Sequence, residues 1–395
     1  MSSFFYHAAV FQGEKGFVPG GFRVSDGRIT EFAAKDNQSA YKAELWEEEG
    51  DPSDGAGSGI SLGGLYVIPG LVDIHTHGNS GCDFSDADVE GLIRMGRYLA
   101  CHGITSFAPT SMTLPYERLK AAFQSALDYV KQRPADAARM AGIHMEGPYF
   151  SEKKKGAQNS SYLKLPDAEG FLELQRMCKG MIRIVDVAPE LDGAQAFIRN
   201  VCSSSKVSVA HTDATYEEAR RSFELGASHV THLFNAMPPI HHRLPGVIPA
   251  AGEREDVTAE LICDGLHVHP AVVRMAFKLF PGRICLISDA LRCCGMPDGE
   301  YELGGQQVIV RDAQARLSDN TLAGAVSNLY TDLKNAICFG IPVREAVEAA
   351  TIIPARVTGM EQEIGSLEPG KRADFLVCDR EWNLKQVYLG GVRIC

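Results

Sequence analysis

The chain has 395 residues, 45% of them apolar and 23% charged, with a formal net charge of −11. That length and balance suit a soluble globular protein built from one large domain and a smaller one. The acidic surplus, with Lys and Arg scattered rather than clustered, argues against nucleic acid or an anionic membrane as partner. An anionic small substrate stays open, because a local site and not the overall charge captures it.

Short apolar runs at Ala8–Val10, Gly21–Val24 and Ile29–Phe32, separated by turn signals such as Asp26-Gly27, predict β-strands over the first 66 residues. The stretch between Ala34 and Gly59 is acidic and rich in Gly and Ser, and reads as a surface loop or poorly ordered segment. From Tyr66 onward the pattern changes. Eight short apolar runs, several of them ending in polar residues, alternate with longer helical stretches: Leu71–His75, Ser106–Pro109, Gly142–Glu146, Arg183–Val187, Ser208–His211, His229–His232, Ala259–Cys263 and Ile284–Asp289. Alternation of this kind signals repeated βα units around a parallel sheet, and the count predicts an α/β fold with a (β/α)8 TIM-like barrel. Beyond Gly365, strands return at Asp374–Asp379, Leu384–Leu389 and Val392–Ile394, with Gly390-Gly391 as a hairpin turn. An economical arrangement joins both termini, residues 1–66 and 366–395, in one small β-sandwich domain beside a barrel over 67–365.

The eleven cysteines are odd in number, irregularly spaced and free of any CxxC pair. They read as reduced, mostly buried thiols and not as a disulfide framework. The N-terminus carries no secretory pattern, and no apolar run reaches the ~18 residues of a membrane span, so a cytoplasmic protein is expected.

The most informative segment is Pro69-Gly70-Leu71-Val72-Asp73-Ile74-His75-Thr76-His77-Gly78. Side chains alternate along a strand, so His75 and His77 project from one side and can close on a single divalent metal. An isolated His-x-His pair is as readily incidental. Here, however, Glu146, His211, His232 and Asp289 also end apolar runs, at the barrel face where active sites sit. Imidazoles with carboxylates and no thiolate suit Zn²⁺, Fe²⁺, Mn²⁺ or Co²⁺ without choosing among them.

PGLVDIHTHG, HMEGPYF, AHTDA, THLFNAMPP, CDGLHVHP and ISDA occur in this order, and the closing segment from Gly365 to Phe375 follows them. In that set the chain resembles the N-acetylglucosamine-6-phosphate deacetylases of the amidohydrolase superfamily. The resemblance spans about residues 64–378. It implies Glu146, His211 and His232 as main metal ligands, with His75 and His77 as the extra pair of members that hold a second ion. Asp289 matches the catalytic acid/base, and His267 the residue that contacts substrate and polarises the amide carbonyl. Asn235 and Ala236 match substrate contacts, Gln158 a position against the sugar, and Leu322, Ala323 and Gly324 the loop flanking the acetyl group. Arg243 matches a phosphate-binding arginine donated across a homodimer interface. The implied reaction is metal-dependent deacetylation of a phosphorylated amino sugar, a step of amino-sugar catabolism and cell-wall recycling, with one or two divalent ions per subunit.

The chemistry fits these residue types. A bound divalent ion makes hydroxide available near neutral pH. An acid/base at Asp289 takes the water's proton and returns it to the departing amine, while a bidentate Arg243 suits phosphate. Departures are Leu244 where the family usually carries an acidic residue, Ala325 where Ser is common, and the Arg292-Cys293-Cys294 run. The adjacent thiols read more readily as packing than as an oxidation-sensitive pair. His102, His144, His229 and His269 read as structural. The galactosamine epimer, another amidohydrolase acting on a different N-acyl or cyclic amide, and a barrel that has lost its chemistry are the rival readings. No Lys ends an apolar run, which disfavours the carboxylated-lysine cyclic amidases, and intact ligands disfavour a dead scaffold.

Overall fold

The computed structural model describes residues 2–34, 59–132 and 134–395. The acidic stretch after Ala34 therefore lies outside the described residues.

Eight parallel strands form the barrel: Leu71–Thr76, Ile104–Ser111, Ile143–Met145, Ile182–Val187, Lys206–Val209, His229–Val230, Thr258–Ile262 and Ile284–Ile287. Each falls on one of the eight runs read from the sequence. Consecutive strands pair in parallel from the first to the last. The ring closes where Thr76 bridges Ala290 and the Asp289 N–H donates to the His75 carbonyl at 2.9 Å. That closure brings the first and last strands, and therefore His75 and Asp289, side by side.

Helices cover the outside, each burying one apolar stripe. In Val89–Cys101, Asp88 caps the start by accepting the N–H groups of Glu90 and Gly91, and Leu92, Ile93, Met95 and Leu99 face the core. Among the described residues no helix is long and apolar enough to cross a membrane.

The terminal strands form a second sheet. Ser2–Phe11 is its hub: it pairs antiparallel with Phe17–Ser25 and parallel with Gly59–Ser61 and Tyr66–Pro69. Tyr66–Pro69 pairs in turn with Phe375–Cys378, so one continuous sheet takes strands from both chain ends. The expected sandwich is this single sheet folded over itself, with a bulge between Phe5 and Ala8 where the hub strand changes partners. Its interior is aromatic. Phe5 stacks on Phe22 at 5.4 Å between centroids, and Phe375 stacks on Tyr388 at 4.3 Å.

Two features depart from the sequence reading. Gly299–Leu303, Gln306–Arg311, Gln314–Leu317 and Leu322–Gly324 make an antiparallel four-stranded insert after the last barrel strand. Its signals were local ones, the Gly304-Gly305 turn and the alternation through Val308 and Val310, inside a region read as barrel. The second departure corrects the all-thiol expectation: Cys101 and Cys395, 294 residues apart, form a disulfide. The C-terminal hairpin carries Cys395 to the end of the Val89–Cys101 helix, a proximity that sequence spacing conceals. Of the remaining cysteines, Cys202 and Cys338 are exposed and the others are buried. Burial pushes the Cys293 and Cys294 thiols up to about 11 and about 12, which suits packing rather than reactivity.

Candidate active site

At the C-terminal mouth of the barrel lies a cavity of about 350 Å³. Three of the site residues at strand ends sit in left-handed backbone: His211 at φ 43°, His232 at φ 27° and Asp289 at φ 49°. A residue in that region turns the chain abruptly out of the strand and aims its side chain across the mouth. Glu146 is aimed by Gly147 instead, whose φ of 92° and closeness to Thr113 leave no room for a Cβ.

Four imidazoles converge on Glu146. The Nε2 atoms of His211 and His232 each lie 3.2 Å from its Oε1. His77 Nε2 lies 3.4 Å from its Oε2, and His75 Nε2 lies 3.6 Å from Oε1. Asp289 Oδ1 completes the cluster, 3.5 Å from His75 Nε2 and 3.3 Å from His77 Nε2. Two overlapping ligand sets result: Glu146 with His211 and His232, and Glu146 with His75 and His77.

The other ring nitrogens of His75, His77 and His211 are committed elsewhere. His77 Nδ1 donates to the Thr110 carbonyl at 3.1 Å, His211 Nδ1 to the Lys154 carbonyl at 2.9 Å, and His75 Nδ1 to Glu260 at 2.8 Å. A carbonyl or carboxylate only accepts, so each Nδ1 carries the proton and each Nε2 offers its lone pair inward. His75 Nε2 is buried with no hydrogen-bond partner. His211 and His232 point their Nε2 atoms at each other across 3.1 Å. Lone pairs so arranged repel unless a cation or proton sits between them.

Electrostatics give the same picture. Burial alone raises the Glu146 carboxyl, yet the His211 and His232 bonds outweigh it and hold the group well below the usual range. Burial lowers His77 and His232, but Asp289 and Glu146 pull both imidazoles up to about 9. The cluster therefore calls for positive charge at its centre. Imidazole nitrogens with carboxylate oxygens fit a divalent transition ion, so the residues present match the expected metal.

His267 faces the cavity from the loop after Ile262. Its Nδ1 donates to Asp264 Oδ2 at 2.6 Å, and Asp264 Oδ1 takes the Leu266 and His267 N–H groups. Burial raises the Asp264 carboxyl, but these bonds prevail and hold it below its ordinary value. Asn235, Ala236, Gln158, Leu322, Ala323 and Gly324 line the same cavity, with Lys153, Lys154 and Met112. Arg243 does not. It lies on an exposed loop between exposed Ile240 and Leu244, outside the cavity of its own chain.

Sequence reasoning missed the layer beneath. Glu260 accepts from His75, from His229 Nε2 at 3.2 Å and from the His232 N–H at 3.1 Å. His144, between the Ile74 carbonyl and Asp186, and Asp73, which takes the Ser288 hydroxyl at 2.6 Å, extend the layer. The signal was present: Asp73, Asp186 and Glu260 are each a buried carboxylate within a mainly apolar strand.

The amidohydrolase family profile matches residues 66–394. N-acetylglucosamine-6-phosphate deacetylase of Vibrio furnissii is 35% identical over 84% of each chain. N-acetylgalactosamine-6-phosphate deacetylase of Escherichia coli O157:H7 is 33% identical over 82% of this chain and 86% of that one. Among solved structures, a mutant N-acetyl-D-glucosamine-6-phosphate deacetylase of Mycobacterium smegmatis, in complex with N-acetyl-D-glucosamine-6-phosphate, superposes with a TM-score of 0.88 at 30% identity. It covers 100% of this chain and 99% of that one.

Proposed function

The chain belongs to the amidohydrolase family, and within it to the N-acetylglucosamine-6-phosphate deacetylases, and from that premise we propose how its residues share the reaction. It hydrolyses the acetamide of N-acetyl-D-glucosamine 6-phosphate to D-glucosamine 6-phosphate and acetate. The observation that carries this reading is the convergence of four imidazole Nε2 atoms and Asp289 on Glu146.

A divalent cation held by Glu146, His211 and His232, with His75 and His77 available for a second, supplies Lewis acidity and brings the pKa of water toward neutrality. Asp289 accepts the attacking water's proton. Its carboxyl is raised by burial but held low by His75 and His77, so it enters the reaction ionised. It then delivers that proton to the departing amine, because an amide does not expel an unprotonated nitrogen. His267, its tautomer fixed by Asp264, donates from Nε2 to the developing oxyanion. Asn235 and Ala236 hold the sugar, and Leu322, Ala323 and Gly324 close over the acetyl group.

Arg243 serves the phosphate of a neighbouring subunit. It stands on an exposed loop with Ile240 and Leu244, the latter 73% exposed, and such a loop suits a homodimer seam. Light scattering of the purified protein reads the oligomeric state directly. The barrel over 67–365 carries the chemistry and the terminal sheet braces it.

The test is acetate release from N-acetylglucosamine 6-phosphate, before and after stripping and restoring Zn²⁺, Fe²⁺, Mn²⁺ or Co²⁺. Release that disappears with the metal and returns with it is expected. Release indifferent to chelation overturns the reading. The galactosamine epimer runs alongside, since a relative of similar identity acts on it.

A further inference from the structure

A second cavity, of about 450 Å³, lies at the opposite end of the barrel from the catalytic mouth. Its wall includes Thr105, near the start of the strand Ile104–Ser111, and Met140, which pairs with that strand at Phe107. Its other wall, with Arg372, Asp374, Leu389 and Val392, belongs to the terminal sheet and the turns around it. The cavity therefore sits on the seam between barrel and sheet, and its volume is that of a small-molecule site. None of its lining residues lines the cavity at the mouth.

The chemistry of the lining narrows what fits. Met140, Leu389 and Val392 offer apolar surface, with Ala137 and Ala138 between them. Among the described residues no Asn, Gln, Ser or His lines it, and the Tyr129 hydroxyl is spent on the Ala138 carbonyl. A sugar would press its hydroxyls against side chains that give nothing back, so substrate and product are excluded. Charge supplies the other half. Arg139 and Arg372 bring two guanidinium groups against one carboxylate, Asp374. Arg372 Nε donates to Asp374 Oδ2 at 2.9 Å and Nη2 to Oδ1 at 3.3 Å, while the Gly390 N–H donates to the same Oδ1 at 2.6 Å. These bonds fix the guanidinium plane and leave Nη1 outside them. The walls are fixed as well. The Ala138 N–H donates to the Gly96 carbonyl at 2.9 Å and the Gly391 N–H to the Ala373 carbonyl at 2.8 Å. The Cys101–Cys395 disulfide pins the hairpin that carries Leu389 and Val392. A site formed in advance spends little of its binding energy on ordering.

We propose that this cavity binds a small carboxylate with an apolar tail. The carboxylate meets Arg372, and the tail lies against Met140, Leu389 and Val392.

The test is calorimetric titration of the metal-loaded protein with octanoate and with 1-octanol, each with and without D-glucosamine 6-phosphate. Octanoate is expected to bind about tenfold more tightly than 1-octanol, the share of one charge-assisted bond. R372M removes that preference and leaves the 1-octanol affinity within about twofold. V392W fills the open side and weakens both ligands about tenfold. Wild-type protein that binds no octanoate overturns the proposal, and so does binding that neither variant weakens. Octanoate displaced by D-glucosamine 6-phosphate lies at the catalytic mouth and overturns it too. Melting temperature checks each variant, and V392W, at a position 66% exposed, carries the test should R372M not fold.

Discussion

The interior of the terminal sheet and the layer beneath the barrel mouth are both fully buried, yet they are built by opposite means. In the sheet, Phe5, Phe22, Phe375 and Tyr388 pack ring on ring, with Phe5 and Phe375 at 5.0 Å edge to face. Area removed from water stabilises such a cluster, and each ring contributes nearly independently of bond geometry. Beneath the mouth, Asp73, His75, His144, Asp186, His229 and Glu260 are each 0% exposed and hold one another through hydrogen bonds of fixed direction. There, removal of one member leaves the others unsatisfied. One region keeps the chain folded; the other keeps a few atoms aimed.

Four experiments sharpen that contrast. The largest effect belongs to Asp289→Asn, which keeps the shape and removes the carboxylate proposed as the base. Turnover is expected to fall by about 10²–10⁴-fold with fold and metal content intact, as acetate assays and elemental analysis read it. Near-normal turnover breaks the mechanism. Glu260→Gln comes next. It faces three N–H donors with only one accepting atom and is expected to cost about 10–100-fold in metal affinity, measured by competition with a chelator.

Phe375→Ala tests the other interior. Loss of a buried ring is expected to cost about 3–5 kcal/mol in denaturant unfolding, with metal affinity unchanged. If metal affinity falls with stability, the two regions are coupled and the contrast fails.

The smallest effect runs the other way. Asp332 is 0% exposed, and neither carboxylate oxygen has a hydrogen-bond partner. Burial first, then the charges of Asp264 and Asp73, push its carboxyl well above 3.8. The folded protein therefore keeps a proton that the unfolded chain releases above pH 3.8. Stability from this group is complete below that pH and is lost as pH rises toward the folded value. Asp332→Asn is expected to raise the melting temperature at pH 7, with the gain vanishing in acid. A constant gain across pH contradicts this account.

Much of the fold was legible because the barrel repeats one pattern. Each of its strands sits on a short apolar run, and the ends of four of them are where Glu146, His211, His232 and Asp289 stand. The insert over Gly299–Gly324 was not legible, since short alternating strands in a region assigned to a βα unit give no period of their own. Glu260 was visible as a charge in an apolar strand, but its three partners come from distant strands and appear only when the barrel closes. Gln158 shows the same limit: nothing in the spacing from Glu146 to Gln158 reveals that its Nε2 donates to Glu146 Oε2 at 2.6 Å. The Cys101–Cys395 pair depends on the C-terminal hairpin reaching the end of the Val89–Cys101 helix, a contact that spacing and composition do not reveal.

The left-handed backbone of His211, His232 and Asp289 has an evolutionary consequence. Holding a non-glycine residue there costs on the order of 1–3 kcal/mol each, and glycine or asparagine would relieve it. Selection for thermal tolerance alone would favour those residues wherever that relief exceeds the bonds to Glu146 that His211 and His232 give up. The catalytic mouth therefore stands as a standing debt against the fold, kept only while the reaction is under selection. A thermostable descendant with glycine at those positions would be a fossil barrel.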